Sequence, residues 1–229
     1  MLVSQELAAN ASLTDAEVVR RVVAGDAGLF EVLVRRHDAR VYRTVRAILK
    51  DETAAEDAMQ VAWLHAYQHL PEFAGTAAFT TWLVRIAANE ALGRLRRRAR
   101  LPSAPDGEEE DSAMEVRRDD PEERAAAREA VRLLELAVDG LTTPYRTVFM
   151  LREVEQLSTR ETAEALGIGE EAVKVRLHRA RAMLRAALGE QVERAAPEAF
   201  PFLAPRCNRV VEQVMAAIAR LGRVRPGAS

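Results

Sequence analysis

The sequence predicts an all-α fold of two small helical domains, and three observations carry that expectation. Ala, Leu, Arg and Glu, all good helix formers, run through the whole chain, and no apolar run of period two reads as a strand. Apolar residues return at spacings of three and four in several long segments, each opened or closed by a cap or a proline. Charge is segregated along the 229 residues, so the formal net charge of −2 conceals opposite blocks. Five of the seven residues 94–100 are arginine, whereas residues 106–123 hold ten acidic side chains against Arg117 and Arg118. Prolines, a glycine and that acidic block give residues 101–121 the composition of a flexible linker. The expected organisation is a disordered start (1–12), a first domain (13–100), the acidic linker (101–121), a second domain (122–189) and a C-terminal extension (190–229) with one amphipathic helix.

The elements follow in order. Thr14 and Glu17 have capping-box spacing, which predicts a short helix stopped at Gly25. From Asp26 onward, Phe30, Leu33, Val34, Val41, Val45 and Ile48 form a helical stripe with arginines opposite. Thr53 and Glu56 suggest another capping box, opening a helix that Pro71 ends. The loop PEFAGTA (71–77) leads into a long helix ending in the arginine cluster. After the linker, helical pattern resumes near Pro121 and is interrupted at Pro144. In the tail, Val210, Val211, Val214, Met215 and Ile218 form one apolar stripe within residues 206–221.

Residues 156–188 carry the sharpest functional signal. Ser158 and Glu161 form a capping box, and Gly167 suits the left-handed turn that closes the helix. A second helix from about Glu170 would bury Val173, Leu177, Ala180 and Leu184, leaving a basic outer face. Two helices across a tight glycine turn, the second basic, describe a DNA-binding helix-turn-helix. On the outer face, Lys174 and Arg179 can donate to guanine, Glu171 can accept from cytosine, and Val175 can touch a thymine methyl. His178 shares that face, while Arg176 and Arg181 point sideways, towards phosphate.

Several classes of function are disfavoured. A single cysteine, Cys207, allows neither an intrachain disulfide nor a cysteine-based zinc site, and beside an apolar helix it reads as a packing residue. No apolar run approaches the roughly 20 residues of a membrane span. The N-terminus lacks the basic start and apolar core of a signal peptide, so a cytoplasmic location without membrane insertion is expected. No nucleophile–base set, phosphate-binding glycine loop or metal-ligand cluster is visible, so neither catalysis nor a cofactor or metal is expected.

Two blocks resemble a known family. DETAAEDAMQVAWLHAYQHLPEFAGTAAFTTWLVRIAANEALGRLRRR (51–98) is similar to the second conserved region of bacterial extracytoplasmic-function (ECF) sigma factors. LTTPYRTVFMLREVEQLSTRETAEALGIGEEAVKVRLHRARAMLR (141–185) is similar to their fourth region, and the order and linker also fit. The resemblance implies an alternative sigma factor, a dissociable specificity subunit of RNA polymerase. Its first domain would bind the clamp helices of the largest subunit and open the −10 element. The second domain would bind the flap of the second-largest subunit and read the −35 element. An anti-sigma partner is also implied.

Carried onto this chain, the resemblance makes residues 53–70 the polymerase-binding helix, with Glu56, Asp57, Gln60 and His65 as its contacts. Phe73, Gly75, Thr76, Ala77, Phe79 and Trp82 would melt the −10 element, because an unstacked base needs backbone access, polar groups and aromatic faces. Phe79 and Trp82 suit the core equally well. Arg85, Asn89 and Arg94 would face the duplex upstream. The tail departs from the minimal family pattern, and either docking on a domain or a regulatory contact fits it. The competing readings are a conventional helix-turn-helix repressor or activator and a nucleic-acid enzyme.

Overall fold

The computed structural model describes residues 12–75, 77–100, 121–188, 200 and 204–222, with 121–128, 130 and 204 given as helical backbone only. The described residues are helical and contain no strand. The elements are α1 (Asp15–Val23), α2 (Phe30–Leu49), α3 (Glu52–Gln68), α4 (Phe79–Arg100), α5 (Pro121–Gly140), α6 (Thr143–Phe149), α7 (Thr159–Leu166), α8 (Glu170–Leu188) and α9 (Ala204–Leu221). Short 3-10 turns precede α2 and follow α3, and a π-turn, Met150–Val154, continues α6. The expected linker (101–121) and the expected disordered start (1–12) fall almost wholly outside the described residues.

Local chemistry sets the element ends. Thr14 and Glu17 form the predicted box, each side chain satisfying the other's backbone N–H at the start of α1. For α3 the cap differs from expectation: Asp51, not Thr53, takes the N-cap position and accepts from the Ala54 amide at 2.5 Å. Pro144 lies in the first turn of α6, where its missing N–H is harmless, so it starts a helix, while the previous one has already ended at Gly140.

The first lobe packs α1, α2, α3 and α4 around Phe30, with Trp63 and Tyr67 edge-on to its ring at 5.7 and 5.2 Å. These rings are essentially inaccessible, and burying each stabilises the lobe by about 1.5–3 kcal/mol. The second lobe closes α5, α6 and α8 over Leu134, Val138, Phe149, Val173 and Leu177.

The two lobes pack against each other. Val84 of α4 is buried against Leu151, Leu157 and Ala165. Arg146 of α6, 1% exposed, donates to the carbonyls of Ala47 (2.5 Å) and Ile48 (3.5 Å) in the last turn of α2 and to Leu141 O (2.6 Å). It thereby satisfies orphan carbonyls at the negative end of a helix dipole. Arg46 forms a bidentate pair with Asp139 at 3.1 and 2.8 Å. Beyond the π-turn, Gln156 adopts a left-handed φ of 55°. The chain turns there and places the Glu155 side chain, 1% exposed, between Arg40 and Arg43 of α2.

Candidate nucleic-acid and polymerase interfaces

The helix-turn-helix is built locally. Ser158 accepts from the Glu161 amide at 3.1 Å, and the Glu161 carboxylate accepts from the Ser158 amide at 2.8 Å. Those bonds hold the Glu161 carboxyl below its usual range. The same carboxylate also accepts from the Thr81 hydroxyl of α4 at 3.1 Å, so the cap doubles as an inter-lobe contact. Gly167 closes α7 at φ 63°, a conformation that a Cβ would strain.

In α8, Val173, Leu177, Ala180 and Leu184 are buried, as the 3–4 spacing predicts. That burial turns Glu171, Lys174, Val175, His178, Arg179 and Arg181 outward as exposed side chains, with Arg176 half-buried. Lys174 Nζ donates to Glu171 at 2.7 Å, which raises the lysine pKa, so these two side chains occupy each other in the free protein. Arg179 donates to the Tyr145 hydroxyl at 3.2 Å, and Arg181 pairs with Glu153 at 2.6 Å. The Glu153 pair holds Arg181 at the helix flank, the place expected for phosphate contact, whereas Arg179, expected at a guanine edge, is tethered to Tyr145 in the free protein.

The expected melting residues divide. Gly75, at φ 69°, is exposed, and Ala77 is half-buried; Thr76 lies outside the described residues. Phe73, Phe79 and Trp82 form one aromatic cluster with centroid separations of 5.2–5.7 Å. Phe79 is 5% exposed and packs against His37 at 5.5 Å. As placed, it belongs to the core and offers no face to a base. It opens α4 against α2, which favours the core over the stacking alternative that stood open for this ring. Phe73 and Trp82 are half-buried and keep part of their surface open. Arg85 and Asn89 are exposed, whereas Arg94 is tied to Glu90 at 2.7 Å and to the Asp57 carbonyl at 3.1 Å.

The expected polymerase contacts on α3 also divide. Asp57 and His65 are exposed on the side facing α4, where His65, His69, Asn89, Glu90 and Arg96 line an open pocket of about 430 Å³. Glu56 and Gln60 lie on the other side, beneath α9. Arg206 and Arg209 approach Glu56 at 3.4 and 3.5 Å, and the Gln60 amide donates to Gln213. Docking of the tail on a domain was one of the two expectations for it, but its seat over Glu56 and Gln60 was not foreseen, nor were the roles of Arg146 and Glu155. The available signal for α9 was complementary charge: three arginines against one glutamate in residues 204–221, facing Glu52 and Glu56.

Residues 33–101 match the family described as Sigma-70 region 2, and residues 132–184 match Sigma-70, region 4. Together these two matches take in more than half of the chain. The ECF RNA polymerase sigma factor SigM of Mycobacterium tuberculosis is 34% identical over 176 residues, 77% of this chain and 85% of its own length. The chain belongs to the ECF family of RNA polymerase sigma factors. These are the alternative sigma factors that direct RNA polymerase to particular promoters. Another relative, the RNA polymerase sigma-H factor of Pseudomonas aeruginosa, is 32% identical over 76% of this chain and 93% of its own. Among solved structures, CnrH in complex with the cytosolic domain of CnrY is similar (TM-score 0.53, 27% identity, 74% of this chain and 93% of that one). The sigma factor RpoE bound to the anti-sigma factor NepR, from Bartonella quintana, shares the fold (TM-score 0.51, 18% identity, 69% and 94%). Among the described residues, no helix is long and apolar enough to cross a membrane.

Proposed function

We propose that this ECF sigma factor binds core RNA polymerase through α3 and the second lobe, reads the −35 element with the outer face of α8, and nucleates melting of the −10 element through residues 73–82. The observation that carries this reading is the register of α8. Burial of Val173, Leu177 and Ala180 turns hydrogen-bonding and apolar side chains of the kinds that read base edges to one side. The exposed Gly75, with the partly open rings of Phe73 and Trp82, supports the melting role. Such a protein supplies specificity and no catalysis of its own, works in the cytoplasm where polymerase and chromosome meet, and needs no cofactor. An anti-sigma partner fits this reading, since two of the similar solved structures are complexes and one of them contains an anti-sigma factor.

The test is run-off transcription by purified core polymerase on a promoter library, with and without the protein. The expected outcome is a set of protein-dependent transcripts that share −35 and −10 elements. If no new start appears and the protein alone shifts duplex DNA at nanomolar concentration, a conventional helix-turn-helix regulator takes its place.

A further inference from the structure

We propose that α9 is a built-in competitor, a basic amphipathic helix that holds the α2/α3 face shut and must leave before core polymerase can dock there. This inference rests on the reading of α3 as a polymerase surface and adds how access to it is controlled.

The docking is specific on both its apolar and polar sides. Val210, Val211, Val214 and Ile218 are at most 3% exposed and join the core cluster of the first lobe. Around that stripe, Arg206 pairs with Glu52, approaches Glu56 at 3.4 Å, donates to the Tyr42 hydroxyl at 3.1 Å and lies over the Tyr42 ring at 5.9 Å. Arg35 donates to Asn208 at 2.9 Å, and Gln60 donates to Gln213. Tyr67 donates to the Gly222 carbonyl at 3.2 Å, just beyond the helix end. Two of the four side chains assigned to polymerase, Glu56 and Gln60, are therefore already engaged by the chain's own tail.

The energetics suit a helix that can be displaced. Its ion pairs are part-exposed, with Arg209 57% and Arg206 31% accessible, and pairs so open to solvent add little to its hold. What holds α9 is chiefly a four-residue apolar stripe. A protein whose competent state is only fractionally populated binds more weakly by that fraction, so loosening α9 raises apparent affinity.

The experiment uses the full-length chain and two readouts. In R206E/R209E, like charges face Glu52 and Glu56 while the apolar stripe and every α3 side chain are unchanged. Affinity for core polymerase, by fluorescence titration, is expected to tighten about tenfold. Hydrogen exchange of the unmodified protein is then compared with and without core. The amides of residues 204–221 are expected to lose protection in the complex while those of α2 keep theirs. Equal affinity of the variant and the unmodified chain, or an α9 that stays protected in the complex, overturns the proposal and leaves the sigma reading standing. If neither protein binds core, the polymerase reading of α3 fails and takes the proposal with it. Because exchange is measured on the unmodified chain, a variant that fails to fold does not block the test.

Discussion

Glu155, from the turn after the second lobe's π-segment, accepts from the Nε of Arg40 at 2.7 Å across the boundary between lobes. Arg43 reaches its other oxygen, and Arg40 also donates to the Glu155 carbonyl at 3.2 Å. A carboxylate 1% exposed is tolerable only while it stays paired. R40A/R43A would leave it stranded at a cost of about 3–5 kcal/mol, which the chain relieves by letting the lobes separate. The radius of gyration from X-ray scattering should therefore rise in the variant. An unchanged compact profile with unchanged thermal stability would show that this cluster does not hold the lobes together.

Arg146 makes a similar junction from neutral partners. Its guanidinium reaches Ala47 O, Ile48 O, Leu141 O and the Thr143 hydroxyl, a spread that only a planar fork spans. R146K should lose most of these bonds while keeping the charge, and so destabilise by about 2–3 kcal/mol. Chemical denaturation checks this. A loss under roughly 0.5 kcal/mol, the range of ordinary surface changes, would mean that the fork contributes little.

These two junctions also mark how far sequence reasoning reached. Ser158, Glu161 and Gly167 were legible because a cap is satisfied within three residues and a left-handed turn within one. The α8 stripe was legible because burial follows a fixed period. The partners of Glu155 and Arg146 and the seat of α9 were not, since those partners lie 98 to 173 residues away in the chain and no local pattern encodes them. Asp51 displaced Thr53 as the cap because two acceptors stood two residues apart and spacing alone could not choose between them. Phe79 suited a stacking ring and a core position alike for the same kind of reason. An aromatic at a helix start is equally at home in a core, and only the path of α2 decides.

Two aspartates should respond to pH with opposite signs. Burial pushes the Asp38 carboxyl up, although the Cys207 thiol and the Ala39 amide oppose the shift. Its charged form is thus a burden on the folded state, one that grows as pH rises through the raised pKa and persists above it. Asp15 is the reverse. A hydrogen bond from His37, joined by Arg36, holds it below its ordinary value of 3.8. The stability this gives is present above that value and fades as pH falls through the lowered one. D38N should therefore raise the melting temperature at pH 7 and lose that gain towards pH 4. D15N should lower it at pH 7, with the deficit shrinking only below the ordinary carboxylate range. Effects that do not vary with pH would remove the electrostatic explanation for both.

The aromatic cluster at the start of α4 separates folding from melting. Phe79 is fully packed, so F79A should cost about 3–5 kcal/mol of stability. Phe73 keeps part of its ring in the open and packs at 5.2 Å on Trp82. F73A should cost less than half as much stability yet slow open-complex formation, because a stacking face is lost. Permanganate footprinting of the −10 region with holoenzyme reads the second effect. Normal melting by F73A would assign that ring to packing alone.

On α8, neighbouring cations should behave differently. Lys174 stands beside Val175 on the outward face and is held by the exposed Glu171, a partner that it can exchange for a base edge. Arg181 lies a further two turns along, braced by Glu153 at the flank. Base contacts specify and phosphate contacts position. With holoenzyme, K174A should cost about 1–3 kcal/mol on the preferred −35 element and relax the preference at one base pair. R181A should weaken every promoter alike and lower the salt dependence of binding by about one counterion, leaving the preference intact. Titrating both variants against a −35 library at two salt concentrations separates these outcomes. If R181A changes the preferred sequence, or K174A lowers affinity evenly across the library, α8 does not enter the groove with Lys174 on the bases and Arg181 on the backbone.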